Sequence, residues 1–230
     1  MEQIKAVPEL DEAIAVVTEP EQLSRTDAAQ LAAQYFLGAG GRAFSGAAFE
    51  HIGHPWSQPS TANLITPSDL LALGTLMVPL DHLAAVDLLT PEFQTRATAL
   101  LEVIPLTSSI GDSNAPDLLS DDGAASQLYE LIKTVDRMGK TRASKLLARK
   151  RPGLIPIRDE NVEQALGAKS LHAWWKPFHQ WANESRDADG HSYLDLAQAI
   201  HSVVGLGALV TPLRTLDAVL WRLGARDSQK

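Results

Sequence analysis

Apolar residues recur every three or four positions over most of the chain, which is the period of an amphipathic α-helix. Three of these patterns begin with Thr-Pro, at Thr66, Thr90 and Thr211, where the threonine can cap a helix that starts with proline. Gly224 is the expected end of the third helix. Further helices are predicted at residues 28–37, 124–137, 141–150, 160–166, 171–183 and 192–204. The pattern predicts an all-α fold, a compact helical bundle forming a single domain over residues 1–230.

Three stretches interrupt the helical pattern. Residues 111–122 and 184–190 are mostly polar and predict loops. The glycine-rich run at 38–41 leads into residues 42–49, for which a short strand and an irregular crossing both remain open.

Composition narrows the chemistry. Hydrophobic residues make up 45% and charged residues 21% of the chain, a globular balance, and there is no cysteine. Disulfides, thiolate zinc sites, iron–sulfur clusters and cysteine nucleophiles are therefore excluded, and we expect no cofactor. The start of the chain lacks the basic and apolar pattern of a signal peptide, and no run approaches the ~20 apolar residues of a membrane span. We expect a cytoplasmic protein without a membrane partner.

Charge is unevenly distributed along the chain. The formal net charge is −8, which argues against indiscriminate coating of nucleic acid. Residues 133–158, here called the basic segment, nevertheless contain a single acid, Asp136. Its basic residues are Lys133, Arg137, Lys140, Arg142, Lys145, Arg149, Lys150, Arg151 and Arg158. Two interpretations stay open: the segment contacts phosphate, or it pairs with acids of the protein itself.

Residues 128–167 predict one helix-hairpin-helix unit, with a tight turn at Met138-Gly139-Lys140 between its first two helices. A glycine in the turn can expose backbone amides at the start of the second helix, where the helix dipole favours an anion. Gly139, Lys140, Thr141, Arg142 and Lys145 are the candidate nucleic-acid-binding residues. The alternative is a plain hairpin whose basic side chains are solvated.

Two segments of this unit resemble the core of the helix-hairpin-helix DNA glycosylases, the superfamily of endonuclease III and the adenine glycosylase MutY. They are Met138-Gly139-Lys140-Thr141-Arg142-Ala143 and Ile155-Pro156-Ile157-Arg158-Asp159-Glu160-Asn161-Val162. In that superfamily a glycine-bearing hairpin grips one DNA strand, and an extended proline-containing segment delivers a catalytic aspartate at a helix N-terminus. The resemblance covers about forty residues and implies DNA as the partner, with RNA left open, and base excision as the reaction.

The resemblance implies that Asp159 is the catalytic carboxylate. It places Thr141 where endonuclease III has its lyase lysine, and threonine forms no Schiff base, so a monofunctional glycosylase that uses water is expected. The chain departs from the family in its turn, where Asp136-Arg137-Met138-Gly139 stands for Pro-Gly-Val-Gly, and in the absence of cluster-binding cysteines. Asp159 has a second interpretation as a helix N-cap, which is compatible with catalysis.

The chain as a whole also resembles an uncharacterised bacterial family, without a reaction attached. The matching stretches are Phe44-Ser45-Gly46, the Leu-Leu-Ala-Arg-Lys-Arg-Pro run at 146–152, and the Leu-Asp-Ala-Val-Leu-Trp run that ends at Trp221. Two other functional classes therefore remain as alternatives to the enzyme. One is a helix-hairpin-helix module that binds DNA without excision, and the other is a structural domain with an acidic protein partner.

Other candidate sites are weaker. His51 and His54 lie beside Glu50 but lack an obvious third ligand, so no metal site is expected. Gly139-Lys140-Thr141 follows a helix and lacks the earlier glycine of a P-loop. In the aromatic group near residue 175, Trp174, Phe178 and Trp181 share a helix face that is expected to pack in the core. Trp175 points elsewhere and is a candidate for lining a pocket or stacking on a base.

Overall fold

A computed structural model describes residues 23–53, 55–166 and 174–227, and these form eleven α-helices and no β-strand. The predicted all-α class is confirmed. The helices are α1 Arg25–Leu37, α2 Pro67–Thr75, α3 His82–Leu88, α4 Pro91–Val103, α5 Ala115–Leu118, α6 Ala124–Lys133, α7 Lys140–Lys150, α8 Glu160–Ala165, α9 Trp175–Glu184, α10 Tyr193–Val204 and α11 Pro212–Asp227.

The three Thr-Pro starts form as predicted. Thr66 and Asp69 make a reciprocal capping box at the start of α2. The Thr90 hydroxyl accepts from the third amide of α4, and Thr211 does the same at the start of α11, where the Arg214 amide donates at 3.2 Å. Each threonine satisfies a backbone donor that the first helical turn leaves without a partner.

The prediction that Gly224 ends the last helix is wrong, because α11 continues to Asp227. Gly224 lies where α11 crosses the N-terminal end of α8. A Cβ atom there would stand 1.8 Å from the carbonyl oxygen of Asn161. The glycine therefore permits close helix approach in the middle of α11.

Several other boundaries differ from the prediction. Helix α6 ends at Lys133, four residues early, because residues 134–139 form turns in which Arg137 has a positive φ of 65°. Within the predicted loop at 111–122 the chain forms the single turn α5, and α3 was not predicted. Residues 42–49 contain a 3-10 helix, Ser45–Ala48, and no strand. Of the predicted helix 171–183, the first three residues lie outside the described residues.

Helix α11 lies in the centre of the bundle, and its residues Leu216 and Leu220 are fully buried. It packs against α1, α8 and α10, while α7 packs between α2 and α6. None of the helices described here combines the length and apolar character needed to cross a bilayer.

The basic segment is largely internal. Five of its nine cations are buried: Lys145, Arg149, Lys150, Arg151 and Arg158. The Asp69 carboxylate accepts from Arg149 at 3.2 Å and from Lys150 at 2.9 Å. The Arg151 guanidinium instead donates to backbone carbonyls of α4 and of the loop before α2. A buried charge is costly unless it is paired or hydrogen-bonded, and these partners meet that requirement.

Candidate functional site

Asp159 is the N-cap of α8, the role that its position before the helix predicts. Its backbone is extended, and Oδ1 accepts from the Asn161 amide at 3.1 Å. Oδ2 accepts from the Lys145 ammonium at 2.7 Å. Only 14% of the carboxyl side chain is exposed. The cap and the ion pair together hold the carboxylate in one orientation.

Lys145 faces inward from α7. Its side chain is 5% exposed, and besides Asp159 it donates to the carbonyl oxygen of Leu76 at 3.2 Å. The structure therefore places this residue beside Asp159, where it is out of reach of a phosphate on the outer surface. It neutralises the carboxylate in a setting where an unpaired charge would be costly.

Asp159 and Lys145 line a cavity of about 580 Å³, here called the Asp159 pocket. The pocket lies between α1, the 3-10 helix, the end of α2, and helices α7, α8 and α11. Thr141 lines it as well, so the structure brings together the two residues that the resemblance pairs. A cavity of this size lies within the range of small-molecule sites.

Aromatic rings form one wall of the Asp159 pocket. The rings of Tyr35 and Phe44 are parallel, with centroids 5.4 Å apart, and Trp221 meets both edge-on. Gly46 makes this packing possible, because a Cβ atom there would stand 1.9 Å from the Tyr35 hydroxyl. Part of residues 42–49, the stretch whose structure the sequence left open, thus forms part of the pocket wall.

Two ionisable residues one turn apart on α11, Arg214 and Asp217, also line the pocket and are buried. Arg214 donates to Glu50 at 2.7 Å and to the Tyr35 hydroxyl at 2.9 Å. Asp217 Oδ2 accepts from the Ile157 amide at 3.1 Å. Asp217 Oδ1 makes no hydrogen bond within the described part of the chain.

The environment of Asp217 changes its protonation. Burial raises the pKa of Asp217 to about 8, because the charged form loses its hydration. Arg214 and the Ile157 amide act in the opposite direction, while the nearby acids Glu50 and Asp159 add to the rise. Burial also raises the pKa of Glu50, against the opposing effect of Arg214. Burial consequently favours the neutral form of the Asp217 carboxyl near pH 7.

The other predicted nucleic-acid-binding residues lie outside the pocket. Gly139 is the exposed N-cap of α7, and a Cβ atom there would meet nothing within 4 Å. The Lys140 ammonium lies 3.0 Å from Glu163, and Arg142 donates to the carbonyl oxygens of Pro79 and Arg137. The two cations on the exposed side of the turn, Lys140 and Arg142, therefore contact other groups of the protein itself.

Trp175 is not among the residues of the Asp159 pocket. It is buried at the start of α9 and meets Tyr129 edge-on, with ring centroids 5.0 Å apart. Trp174 and Phe178 are buried in the core as predicted, and Trp181 is partly buried. Trp175 also lines a separate cavity of about 220 Å³ together with Tyr129 and Trp174, so its role in lining a pocket stays a prediction.

Sequence reasoning missed Tyr35, Phe44, Arg214, Asp217 and Trp221. A signal for three of them was present, because Phe44-Ser45-Gly46 and the run ending at Trp221 carry the resemblance to the uncharacterised bacterial family. Both stretches line the pocket. His51 contributes nothing to it, and His54 lies outside the described residues. No group of three or more metal-ligating side chains occurs among residues 23–53, 55–166 and 174–227.

Residues 28–224 match the model of the family of unknown function DUF6308. The chain belongs to this family. No curated protein and no solved structure matches the chain. In this DUF6308 member the matched range contains every residue that lines the Asp159 pocket. The description of DUF6308 names no reaction, so the resemblance to the DNA glycosylases stays a prediction.

Proposed function

We propose that this DUF6308 protein binds DNA and holds one unstacked base in the Asp159 pocket, where Asp159 supports hydrolysis of the N-glycosidic bond. One observation carries the proposal. Asp159 and Thr141, which match the catalytic positions of the glycosylase core, meet at the wall of a single cavity that also has an aromatic wall. An extruded base needs such a cavity, because it loses its stacking when it leaves the duplex.

The backbone of the turn gives further support. Arg137 adopts a φ of 65°, in the left-handed region that favours glycine. It stands where the superfamily's hairpin has its first glycine. The chain therefore keeps a conformation suited to glycine although it carries arginine there. The missing glycine is thus compatible with a hairpin of the superfamily's type.

In the proposed reaction Asp159 stabilises positive charge and accepts one proton. When the bond between C1′ and the base nitrogen breaks, its electron pair leaves with the base, and positive charge builds on the sugar. A carboxylate nearby stabilises that charge and accepts a proton from the attacking water, whose oxygen forms the new bond to C1′. The departing base takes up a proton from the solvent, and Asp159 returns to the solvent the proton that it accepted. Lys145 acts as a positioning residue that holds the carboxylate at 2.7 Å.

The ion pair also favours a second candidate, a binding module without excision. Both oxygens of Asp159 are already engaged, one by the Asn161 amide and one by Lys145. Catalysis requires the carboxylate to exchange part of these contacts for the substrate. A module that only binds would keep them.

Asp159→Asn separates these functions. The asparagine keeps the helix cap and removes the charge, so we expect it to lower single-turnover excision by about a hundredfold or more. Binding to a duplex with an abasic-site analogue should be unchanged or tighter. The measurements are excision on duplexes with one uracil, hypoxanthine, 3-methyladenine or adenine opposite 8-oxoguanine, and titration of the abasic and intact duplexes.

Asp81→Asn is the matched control, because Asp81 also caps a helix, α3, and contacts a cation, Arg137, yet does not line the pocket. It should leave excision unchanged. Full excision by Asp159→Asn would refute the catalytic role. Preference for the abasic duplex without excision of any base by the wild type would favour the binding module, and equal weak binding of both duplexes would refute the pocket's role in DNA recognition.

A further inference from the structure

Asp217 is a buried polar group in the Asp159 pocket that the excision chemistry does not use. It is 2% exposed, and Oδ2 is fixed by the Ile157 amide at 3.1 Å. Oδ1 has no hydrogen-bond partner within the described residues and is itself fully buried, although the residue lines the cavity, so a ring in the pocket reaches Oδ1 only when the Asp217 side chain rotates toward it. Buried polar atoms without a partner are rare in proteins, and each one calls for an explanation.

The contacts of Asp217 define which hydrogen bond it can make. Oδ2 accepts from a backbone amide, so it behaves as the carbonyl oxygen of a carboxylic acid. The proton then belongs on Oδ1, where it makes a donor. An ionised carboxylate with one oxygen unpaired would be far more costly in this position than the neutral acid.

The charged groups around Asp217 agree with a neutral acid. Arg214 lies one turn earlier on α11, but its guanidinium is committed to Glu50 and to the Tyr35 hydroxyl. Glu50 follows the 3-10 helix, and Asp159 caps α8; both are acids that disfavour a second negative charge. Lys145, from α7, is paired with Asp159.

We infer that Asp217 selects the ring held in the Asp159 pocket by donating a hydrogen bond from Oδ1 to an acceptor on an aromatic heterocycle. The inference deepens the proposed function and rests on it, because it names the contact by which the pocket recognises a heterocyclic base. The aromatic wall of Tyr35, Phe44 and Trp221 provides the apolar surface for the ring. A ring nitrogen with a free lone pair or a carbonyl oxygen provides the acceptor.

Two bicyclic probes of the same size test the donor. Benzimidazole has an acceptor nitrogen in its five-membered ring, and indole has none. With the full-length protein at about pH 7, we expect ligand-observed NMR titration to give a dissociation constant for benzimidazole roughly tenfold below that for indole, the worth of one net hydrogen bond. At about pH 9, where Oδ1 has lost its proton, the preference should disappear.

Three variants complete the test. Asp217→Asn carries an amide donor that does not titrate, so its preference for benzimidazole should persist at both pH values. Asp217→Leu removes the donor, and its preference should be absent at both. Asp136→Asn, at a residue whose side chain is 89% exposed, is the control and should match the wild type. Thermal unfolding verifies that each variant is folded, and the wild-type pH series needs no variant.

The outcomes for this inference and for the proposed function are distinct. Equal binding of both rings by the wild type at about pH 7, or binding of neither, would overturn the role of Asp217. A preference that survives in Asp217→Leu would overturn it too. A preference that follows the expected pattern in a protein that binds no DNA would support Asp217 and refute the proposed function alone.

Discussion

Asp159 and Asp217 lie in the same pocket, and their surroundings give them opposite properties. Asp159 has an amide donor on one oxygen and the Lys145 ammonium on the other. Asp217 has one amide donor, and the cation one turn away on α11, Arg214, is bonded to Glu50. One carboxyl is thus paired with a cation, and the other lies in surroundings that favour its neutral acid, which are different environments of the kind that separate the roles of paired carboxyl groups in many active sites.

The raised pKa of Asp217 makes stability depend on pH. In the unfolded chain this group ionises near its ordinary value of 3.8, and in the folded chain near 8. Below about pH 4 it is neutral in both states and has no effect on the pH dependence. Between about pH 4 and pH 8 the unfolded state is favoured increasingly, by up to about 1.4 kcal/mol per pH unit.

Asp217→Asn should remove this dependence. Relative to the variant, the wild type should lose free energy of unfolding as the pH rises from about 4 to about 8, and the difference should level off above that. Urea denaturation of both proteins across this range measures it. Because Glu50 is present in both, its own raised pKa largely cancels in the comparison. Parallel pH profiles would show that Asp217 is ionised in the folded protein.

The sequence pointed to Asp159 and Thr141, which the structure places at one cavity, but it did not indicate the direction of Lys145. Every residue of α7 from Ala143 to Lys150 is buried. Its basic residues therefore do not mark a solvent-exposed face, as they would in a surface helix. Asp217 was missed for a related reason. It lies within the apolar run of α11, where a neutral carboxylic acid is indistinguishable in sequence from an exposed aspartate.

At the scale of elements, the crossing of α8 and α11 positions the site. Helix α8 has six residues, too few for a stable helix without tertiary contacts. Its support comes from α11, which approaches it closely at Gly224. The sequence located both helices but treated this glycine as a helix end, because a contact between distant residues leaves no local mark.

Gly224→Ala should disturb this crossing. The new Cβ atom would stand 1.8 Å from the Asn161 carbonyl oxygen, so α8 has to move, and we expect a loss of about 1–3 kcal/mol in the free energy of unfolding. Gly74→Ala is the matched control, a helical glycine in α2 whose Cβ would meet nothing within 4 Å. It should be neutral or stabilise by up to about 1 kcal/mol. Equal unfolding midpoints for the two variants would contradict the assigned contact.

At the scale of the whole molecule, the basic segment is mainly a structural feature. Sequence showed where the cations cluster along the chain, and left open whether they meet phosphate or acids of the protein. Asp69, which pairs with Arg149 and Lys150, lies about eighty residues away in sequence, so only the fold reveals the pairing. The buried cations connect α7 to three other parts of the fold, which are the loop before α2, α2 itself and α4.

Asp69→Asn tests this internal role. It leaves two buried cations without their carboxylate, and we expect a loss of about 3–5 kcal/mol in the free energy of unfolding. Glu130→Gln is the comparison, because it removes an exposed ion pair with Lys133 and should cost at most about 0.5 kcal/mol. Chemical denaturation of both variants measures the difference. A small effect of Asp69→Asn would mean that Arg149 and Lys150 are satisfied by carbonyl oxygens alone.

The interior placement of these cations has a kinetic consequence. Three of the four outer cations of the basic segment contact carboxylates, and the chain as a whole carries a net charge of −8. A polyanion that approaches such a surface meets no long-range attraction that would guide its diffusion. With DNA as the proposed ligand, encounters should therefore be slow at low ionic strength and should quicken as salt screens the repulsion, the reverse of the behaviour of most proteins that search along DNA.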